Sequence, residues 1–337
     1  MHNCDNSFFM SNYTHIYIEK AAKPYALTDV VTSKFPHATI VEIDDYMEVF
    51  ARGRQNFSVQ KHAPKLIVAV KKRPFLYPGS EVTHHFGHLH FYYASSALNC
   101  LYNCEYCFLQ GMFPSGNAVL FVNQDDYFAE VRRTLDGHPL YLSISYESDL
   151  LAFEPIVPLA SRWIAFAAET DGLTLELRTK SANFAPLRGL TPSNRTVLAW
   201  TLSPDEVVKR HEPGTPSLQA RLACARKAAE AGWPVRICFD PVLHIDNWRQ
   251  HYRDCIRRTF SEIPLARIRD VSIGVFRIPK DYLKRMRKHR SESVIAHYPY
   301  ENRNGILTYP DETTRKLTEF VYESVAEYMP EEKIFIT

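Results

Sequence analysis

Long apolar runs are absent from this 337-residue sequence, and no stretch reaches the length of a membrane span. The first residues, MHNCDNSFFM SNYTHIYIEK, lack a basic segment followed by an apolar one, so no secretory signal peptide is predicted. The net charge is only +2, which excludes a chain that binds nucleic acid through its overall charge. Repeats and low-complexity tracts are also missing, so the sequence predicts an ordinary globular protein with a substantial core.

Cysteine is scarce, with seven residues in the whole chain, and three of the seven fall within residues 100–107. An odd number with such clustering does not fit the disulfide framework of a secreted protein. In a reducing compartment the cluster instead indicates a metal or iron–sulfur site. We therefore expect a cytoplasmic protein without a membrane anchor.

The pattern of apolar segments divides the chain into three predicted regions. Residues 1–85 predict a small N-terminal α/β extension, and residues 277–337 form a basic and aromatic C-terminal region. Between them, residues 86–276 alternate short β-rich segments with longer helical ones, at 124–136, 154–169, 215–231 and 247–261. Such βα units predict a parallel sheet, here an α/β fold with a partial (β/α)6 barrel of the TIM type. Its predicted strands are 90–96, 139–145, 173–179, 196–202, 235–242 and 269–276.

The central motif is CLYNCEYC, which contains Cys100, Cys104 and Cys107. It follows the first predicted barrel strand, at the end of the barrel where catalytic residues lie. Three thiolates at this spacing hold one iron–sulfur cubane and leave one iron open to bind a substrate or cofactor.

A structural zinc site is the alternative for the same cysteines. Structural zinc takes four ligands, usually as two pairs, and no second pair follows this motif. The other candidates are Cys224, Cys238 and Cys255, which are widely spaced. A fourth zinc ligand would therefore have to come from a residue such as His88 or His90.

The pattern C-x-x-x-C-x-aromatic-C resembles the signature of the radical S-adenosylmethionine (SAM) superfamily. The resemblance implies a [4Fe–4S] cluster whose open iron binds the amino and carboxylate groups of SAM. Reduction then splits SAM into methionine and a 5′-deoxyadenosyl radical, which removes a hydrogen atom from the substrate. Tyr106 occupies the aromatic position, which in the superfamily packs near the adenine of SAM.

Longer segments resemble one family more closely, the spore photoproduct lyases. These segments are CEYCFLQ, FVN at 121–123, SYESD at 145–149, LRTK at 177–180, and EPGTPSLQARLACARKAAEAGWP at 212–234. That family repairs a methylene-bridged thymine dimer in ultraviolet-damaged DNA. The resemblance thus implies a carbon–carbon lyase that binds damaged DNA and receives electrons from a donor such as flavodoxin or ferredoxin.

The resemblance also implies SAM contacts. Ser148 and Lys180 match the serine and lysine that hold the methionine end of SAM, and a hydroxyl and an ammonium suit a carboxylate. Thr201 stands at a serine position that contacts SAM. Asp240 stands where an alanine backbone contacts the adenine, so only the backbone role carries over.

Two positions depart from the family pattern. The hydrogen-atom donor of the family is a cysteine, and Tyr146 stands at that position here. Phe108 replaces the second tyrosine of a pair that flanks the third cysteine. A radical relay would therefore run through Tyr106 and Tyr146. Cys238 is a second candidate donor if its face of the strand lines the barrel, although buried cysteine is more often a small apolar residue.

The C-terminal region carries basic and aromatic residues that suit a nucleic acid. The basic residues are Arg277, Lys280, Lys284, Arg285, Arg287, Lys288 and Arg290. They predict contacts with phosphates, although a solvated helix face gives the same pattern. Tyr298, Tyr300 and Tyr309 are expected to offer faces on which bases stack.

Three functions remain open from the sequence. The first is a DNA photolesion lyase of the spore photoproduct type. The second is a radical SAM enzyme of the same lineage with a different substrate, such as another modified nucleotide, which the loss of the donor cysteine favours. The third is an iron–sulfur protein that binds nucleic acid and does not cleave SAM.

Overall fold

The computed structural model describes residues 13–79 and 84–337, which form three sheets flanked by helices. The strands are β1 (His15–Glu19), β2 (Thr39–Ile43), β3 (Leu66–Ala69), β4 (Leu76–Pro78), β5 (Phe91–Ala94), β6 (Ala97–Leu98), β7 (Ala118–Phe121), β8 (Leu140–Ser143), β9 (Leu173–Thr179), β10 (Thr196–Thr201), β11 (Val235–Val242), β12 (Ile268–Val275), β13 (Arg277–Pro279), β14 (Glu301–Arg303), β15 (Ile306–Thr308) and β16 (Ile334–Ile336). The α-helices are α1 (Ala26–Ser33), α2 (Met47–Phe50), α3 (Phe57–His62), α4 (Leu109–Met112), α5 (Gln124–Leu135), α6 (Leu150–Phe153), α7 (Leu159–Ala168), α8 (Asp205–His211), α9 (Leu218–Glu230), α10 (Trp248–Glu262), α11 (Lys280–His289) and α12 (Asp311–Ala326). No helix in the described ranges is long and apolar enough to cross a bilayer.

The largest sheet is the predicted partial barrel. Its strand order is β16-β12-β11-β10-β9-β8-β5-β4, and β5, β8, β9, β10, β11 and β12 are parallel neighbours. These six strands coincide with the six predicted segments, which confirms the α/β fold with a partial (β/α)6 barrel. Every residue of β8 and β10 is buried, as expected for parallel strands that are covered on both faces. The sequence did not predict β16, which adds a parallel strand beside β12.

A second, five-stranded sheet has the order β2-β1-β3-β7-β6. Its strands β3 and β7 are entirely buried and pair in parallel. Both β6 and β7 lie beyond residue 85, so this sheet continues past the predicted boundary of the N-terminal extension. The three-region division of the chain stays a prediction. Because β6 ends at Leu98, the second sheet brings the chain directly to the cysteine motif.

The four predicted barrel helices are present, and two of them start later than predicted. In α9, the buried face and the end follow the sequence, and Gly232 has a φ of +97° just beyond the end. The helix begins at Leu218 and not at the predicted residue 215, because Ser217 caps it by accepting a hydrogen bond from Ala220 N at 3.2 Å. The prediction for 154–169 began too early, because α7 starts only after Pro158. There the Glu154 carboxylate accepts hydrogen bonds from the first turn of the helix instead of joining it.

The C-terminal region docks on the segment that follows the cysteines. Strands β13, β15 and β14 form a small antiparallel sheet, and α11 packs against α4. The approach is so close that a Cβ on Gly111 would lie 2.3 Å from the Tyr282 carbonyl oxygen. Only glycine permits this contact, so the basic helix is seated next to the cysteine motif.

Candidate active site

Residues 100–107, which we call the cysteine loop, lie at the C-terminal end of the first barrel strand. Cys104 is buried, Cys100 and Cys107 are half-buried, and all three thiols are free. They line one cavity. Burial raises the pKa of Cys104 to about 12, so a bound positive group is needed for a thiolate there at neutral pH.

The candidates for a fourth zinc ligand lie elsewhere. His88 stacks on Tyr141 with 4.3 Å between ring centroids, and His90 stacks on His138 at 3.7 Å. These histidines precede β5 and belong to the N-terminal end of the barrel strands, opposite the cysteine loop. Within residues 13–79 and 84–337, no three His, Cys, Asp or Glu side chains come close enough together to hold a single metal ion.

A buried carboxylate, Glu212, organises the polar groups beside the loop. The Tyr106 hydroxyl, the Ser203 hydroxyl at 2.8 Å and the Arg221 guanidinium all donate hydrogen bonds to it. Burial disfavours its charge, but Arg221 and Lys180 outweigh that effect and hold the pKa of Glu212 down, at about 2. Glu212 is therefore an ionised acceptor that fixes the position of the Tyr106 ring.

Lys180 joins the same group of side chains. Its Nζ lies 5.0 Å from the centroid of the Tyr106 ring and 3.9 Å from Oε1 of Glu212. Burial disfavours the ammonium, yet the negative charges of Cys104 and Glu212 raise the pKa of Lys180 above its ordinary value. The lysine thus presents a positive charge at the end of β9, close to the cysteine loop.

Asp149 holds this strand end in place. Its carboxylate accepts hydrogen bonds from the backbone N of Lys180 at 2.8 Å and from the Thr179 hydroxyl at 2.7 Å. Burial raises the pKa of Asp149, while these donors favour its charged form. Sequence reasoning assigned no role to Asp149 or Glu212, although both belong to the segments that resemble the family. Their place in those segments was the available signal, since Asp149 ends SYESD after β8 and Glu212 opens the segment between α8 and α9.

The two hydroxyl residues predicted to contact SAM occupy different settings. Ser148 is buried, and its Oγ has no hydrogen-bond partner among the residues that the structure describes. A buried hydroxyl without a partner is unfavourable unless a ligand supplies one. Thr201 is also buried at the end of β10, where its carbonyl accepts a hydrogen bond from Arg221 Nη1 at 3.2 Å.

Cys238 and Asp240 are alternate residues of β11, so their side chains lie on the same face, which points into the barrel. The Asp240 carboxylate accepts hydrogen bonds at 3.1 Å from Arg178 and from Arg277. Its side chain is thus engaged, which the expected backbone role did not anticipate. Cys238 is fully buried beside Thr201, and burial raises its pKa to about 11. Cys238 lies inside the barrel near Arg178, on the predicted face.

Tyr146 belongs to an aromatic stack on the other side of the cysteine loop. Its ring centroid lies 4.6 Å from that of Tyr93 and 5.6 Å from that of Phe108. Tyr93 stacks in turn on Tyr77 at 5.1 Å. The structure therefore brings together the two positions that depart from the family pattern, Tyr146 and Phe108. Tyr106 instead contacts Glu212 and Lys180, and a relay between Tyr106 and Tyr146 stays a prediction.

The basic C-terminal residues divide into two groups. Lys280, Lys284, Arg285 and Lys288 are exposed and leave a positive surface on and beside α11. Arg277, Arg287 and Arg290 instead bind Asp240, the Ala296 carbonyl and the cysteine loop, respectively.

One of the three C-terminal tyrosines, Tyr309, does not offer the open stacking face that the sequence predicted. The rings of Tyr298, Tyr300 and Tyr309 pack against one another, with centroids 4.8 to 5.2 Å apart. Tyr309 is buried, and its hydroxyl accepts a hydrogen bond from His244 N at 2.9 Å. The prediction is wrong for Tyr309, because its ring is buried against those of Tyr298 and Tyr300.

Six parallel strands with a loop of three free cysteines at their C-terminal end define a protein of the radical SAM class. The family model described as "Spore photoproduct lyase" matches residues 11–337, nearly the whole chain. The chain belongs to the spore photoproduct lyase family.

Individual relatives agree with this assignment. The spore photoproduct lyase of a Geobacillus species is 23% identical, covering 95% of this chain and 96% of the relative. That of Bacillus subtilis is also 23% identical, covering 74% and 73%. A solved structure of a spore photoproduct lyase variant with bound AdoMet and dinucleoside spore photoproduct superposes with a TM-score of 0.79. It is 21% identical and covers 96% of this chain and 98% of its own, so the fold is shared over the full length.

Proposed function

We propose that this protein is a radical SAM lyase that repairs a DNA photolesion of the spore photoproduct type. The observation that carries the proposal is the convergence of three free thiols on one cavity, beside the buried groups Lys180 and Glu212. Membership of the spore photoproduct lyase family supports the same chemistry.

A [4Fe–4S] cluster fits the three cysteines better than zinc does. The ligands of zinc lie about 2.0 to 2.3 Å from one ion and must therefore converge. Thiolates that bind different irons of a cubane stand further apart and surround it. Cys100, Cys104 and Cys107 surround a cavity, and they do not form a single-ion site. These three residues would hold the cluster, which supplies the electron that cleaves SAM.

The neighbouring residues would bind SAM. The Ser148 hydroxyl, which lacks a partner in the described chain, and the Lys180 ammonium suit the carboxylate of the methionine end. Glu212 keeps the Tyr106 ring in a fixed position, where it would pack near the adenine. Thr201 and the Asp240 backbone would complete the site from β10 and β11. The burial of this group excludes water, which strengthens each electrostatic contact.

The proposed substrate is a damaged nucleotide in DNA. The solved relative contains a dinucleoside spore photoproduct, and the fold shared with it supports a damaged nucleotide as the substrate of this chain. A second candidate, a different modified nucleotide, is favoured by Tyr146, which stands at the donor position and packs on Tyr93 and Phe108. A phenol releases its hydrogen atom less readily than a thiol, so the reaction would need either Tyr146 or the buried Cys238 as its donor.

The remaining assignments follow from this function. The C-terminal region would contact DNA phosphates through the exposed basic residues of α11. An electron donor such as flavodoxin or ferredoxin would reduce the cluster in the cytoplasm. The barrel at 86–276 would carry the chemistry, with the extension at 1–85 supporting the cysteine loop.

The test uses anaerobically reconstituted, dithionite-reduced protein, incubated with SAM and DNA that contains the spore photoproduct. Chromatography would follow 5′-deoxyadenosine and, after hydrolysis of the DNA, the conversion of the lesion to thymine, with undamaged DNA as the control. Thymine recovered from the lesion supports the lyase. Deoxyadenosine without thymine would move the proposal to the second substrate, and the absence of both products would favour an iron–sulfur protein that does not cleave SAM.

A further inference from the structure

Two positively charged side chains from opposite ends of the sequence bind the cysteine loop. Lys61 comes from α3, and its Nζ donates hydrogen bonds to the carbonyl oxygens of Cys100 and, at 3.3 Å, of Tyr102. Arg290 follows α11 and approaches from the C-terminal region. Its Nη2 donates to the carbonyl and the side-chain oxygen of Asn103, the former at 3.2 Å.

These contacts supply hydrogen-bond donors to the backbone carbonyl groups of a loop that has little regular secondary structure. Residues 100–107 contain turns and bends but no helix or strand, so their carbonyl groups need partners from elsewhere. Arg290 Nε also donates to Gln110 Oε1 at 2.7 Å, and Gln110 Nε2 donates to the Cys104 carbonyl at 2.8 Å. The two cations therefore fix the backbone that carries the cysteines.

Both cations lack a directly bonded carboxylate. In the described part of the chain, every hydrogen bond of Lys61 and of Arg290 ends on a carbonyl or amide oxygen. Glu105 attracts Arg290 electrostatically, but its carboxylate is hydrogen-bonded to His211. Half-buried positive charges without a counterion are unfavourable, so the arrangement calls for an anion nearby.

The cavity between the cysteines is the place for that anion. Lys61 lines it together with the three thiols, and so do the Arg290 partners Asn103 and Gln110. The rings of Phe57 and His289 lie 5.8 Å apart, so the segments that carry Lys61 and Arg290 also contact each other. A cluster held by three thiolates is anionic, and reduction by one electron adds a further negative charge.

We propose that Lys61 and Arg290 form a two-cation clamp on the cysteine loop, which positions the loop and stabilises the reduced cluster. The inference rests on the proposed cluster and on no assumption about the DNA substrate. One electron passes from an external low-potential donor to the cluster, and the two fixed positive charges make that extra negative charge more favourable. Lys61 and Arg290 act as positioning residues through the loop and do not touch the reacting atoms.

The test compares charge removal with charge retention at each position. Lys61→Met and Arg290→Met remove one cation each, whereas Lys61→Arg and Arg290→Lys keep the charge. Lys34→Met, at an exposed lysine in the N-terminal region, controls for the same substitution far from the loop. Each protein would be reconstituted anaerobically. Iron and sulfide content would be measured first, followed by a dithionite redox titration monitored by electron paramagnetic resonance.

The clamp predicts that each methionine variant makes the cluster about tenfold harder to reduce, a shift of about 59 mV to lower potential for one electron. The charge-retaining variants and Lys34→Met should stay near the wild-type potential. Full iron content with an unchanged potential in both methionine variants would overturn the proposal. A methionine variant that fails to bind the cluster is compared with the charge-retaining variants. Iron binding by Lys61→Arg or Arg290→Lys then supports the clamp, and the loss of iron binding in both charge-retaining variants overturns the proposal. Wild-type protein that binds no cluster would instead contradict the proposed function.

Discussion

The hydroxyl of Tyr106 donates a hydrogen bond to the carboxylate of Glu212, which lies more than one hundred residues further along the chain. Tyr106 belongs to the cysteine loop, and Glu212 precedes α9, whose Arg221 side chain binds the same carboxylate. This bond joins the cysteine loop to the segment between α8 and α9. Since the Glu212 side chain is completely buried, its contacts form only when the barrel is assembled.

Glu212→Gln should destabilise the protein and weaken SAM binding. The substitution keeps the shape of the side chain but leaves Arg221 as a buried charge without an anion, which costs on the order of 3 to 5 kcal/mol. Chemical unfolding of the protein without cluster would measure this loss. Glu206→Gln removes a carboxylate from a surface pair with Arg210 and should change stability by about 1 kcal/mol or less.

A comparison of wild type with Glu212→Gln at several pH values tests the pKa of Glu212. Its folded pKa is about 2 against an ordinary value of 4.5. Ionisation of Glu212 therefore contributes about 3 kcal/mol above pH 4.5, and that contribution is lost as the pH falls towards 2. The stability difference between wild type and Glu212→Gln should shrink over that range. A constant difference between pH 7 and pH 2 would contradict the assignment.

Cys104→Ala should abolish cluster binding. The loss of one of three thiolates leaves too few ligands to hold a cubane. Iron analysis and the visible absorption of the reconstituted protein would measure the effect. Cys255→Ala is the matched control, because Cys255 is buried in α10 and should leave the iron content unchanged. A brown, active Cys104→Ala protein would show that the ligands are different ones.

Ser148→Ala separates ligand binding from folding. The Ser148 hydroxyl has no partner in the described structure, so its removal should change the free energy of unfolding by less than about 1 kcal/mol. The affinity for SAM should fall by about tenfold or more, because a hydrogen bond to a charged group is lost. Calorimetric titration of SAM would measure this. An unchanged SAM affinity would place the hydroxyl outside the ligand site.

Tyr146→Cys tests the position at which the family carries its hydrogen donor. A thiol releases a hydrogen atom more readily than a phenol, so thymine release from the spore photoproduct should rise. A tenfold rise in the rate corresponds to an activation free energy that is lower by about 1.4 kcal/mol. Tyr146→Phe is the control, which keeps the contacts with Tyr93 and Phe108 and removes the hydroxyl. Equal thymine release from both variants would argue for a different substrate.

The exposed basic face of α11 should govern DNA affinity. Lys284→Met and Lys288→Met each remove one exposed positive charge, and each should lower the dependence of binding on salt by about one unit of slope. Binding titrations at several salt concentrations would measure that slope. Lys209→Met, at an exposed lysine of α8, is the control. DNA binding that does not respond to either α11 variant would place the DNA elsewhere.

The sequence by itself determined the local features of this protein. The six parallel strands, the buried face of α9 and its end before Gly232 followed from apolar periodicity and a glycine stop signal, because these signals act within a few residues. The three cysteines could be assigned together because their spacing lies within one loop. The shifted start of α7 shows the limit of periodicity, since Pro158 and the capping by Glu154 decided it.

Only the tertiary structure decided which distant charges meet. Glu212 binds Tyr106, and Lys61 and Arg290 reach the same eight-residue loop from α3 and from beyond α11. Burial then fixes their energetics, because a carboxylate or an ammonium taken out of water needs a partner that no sequence spacing reveals. The burial of Tyr309 could not be predicted either, because the composition of its segment also suits a surface that binds nucleic acid.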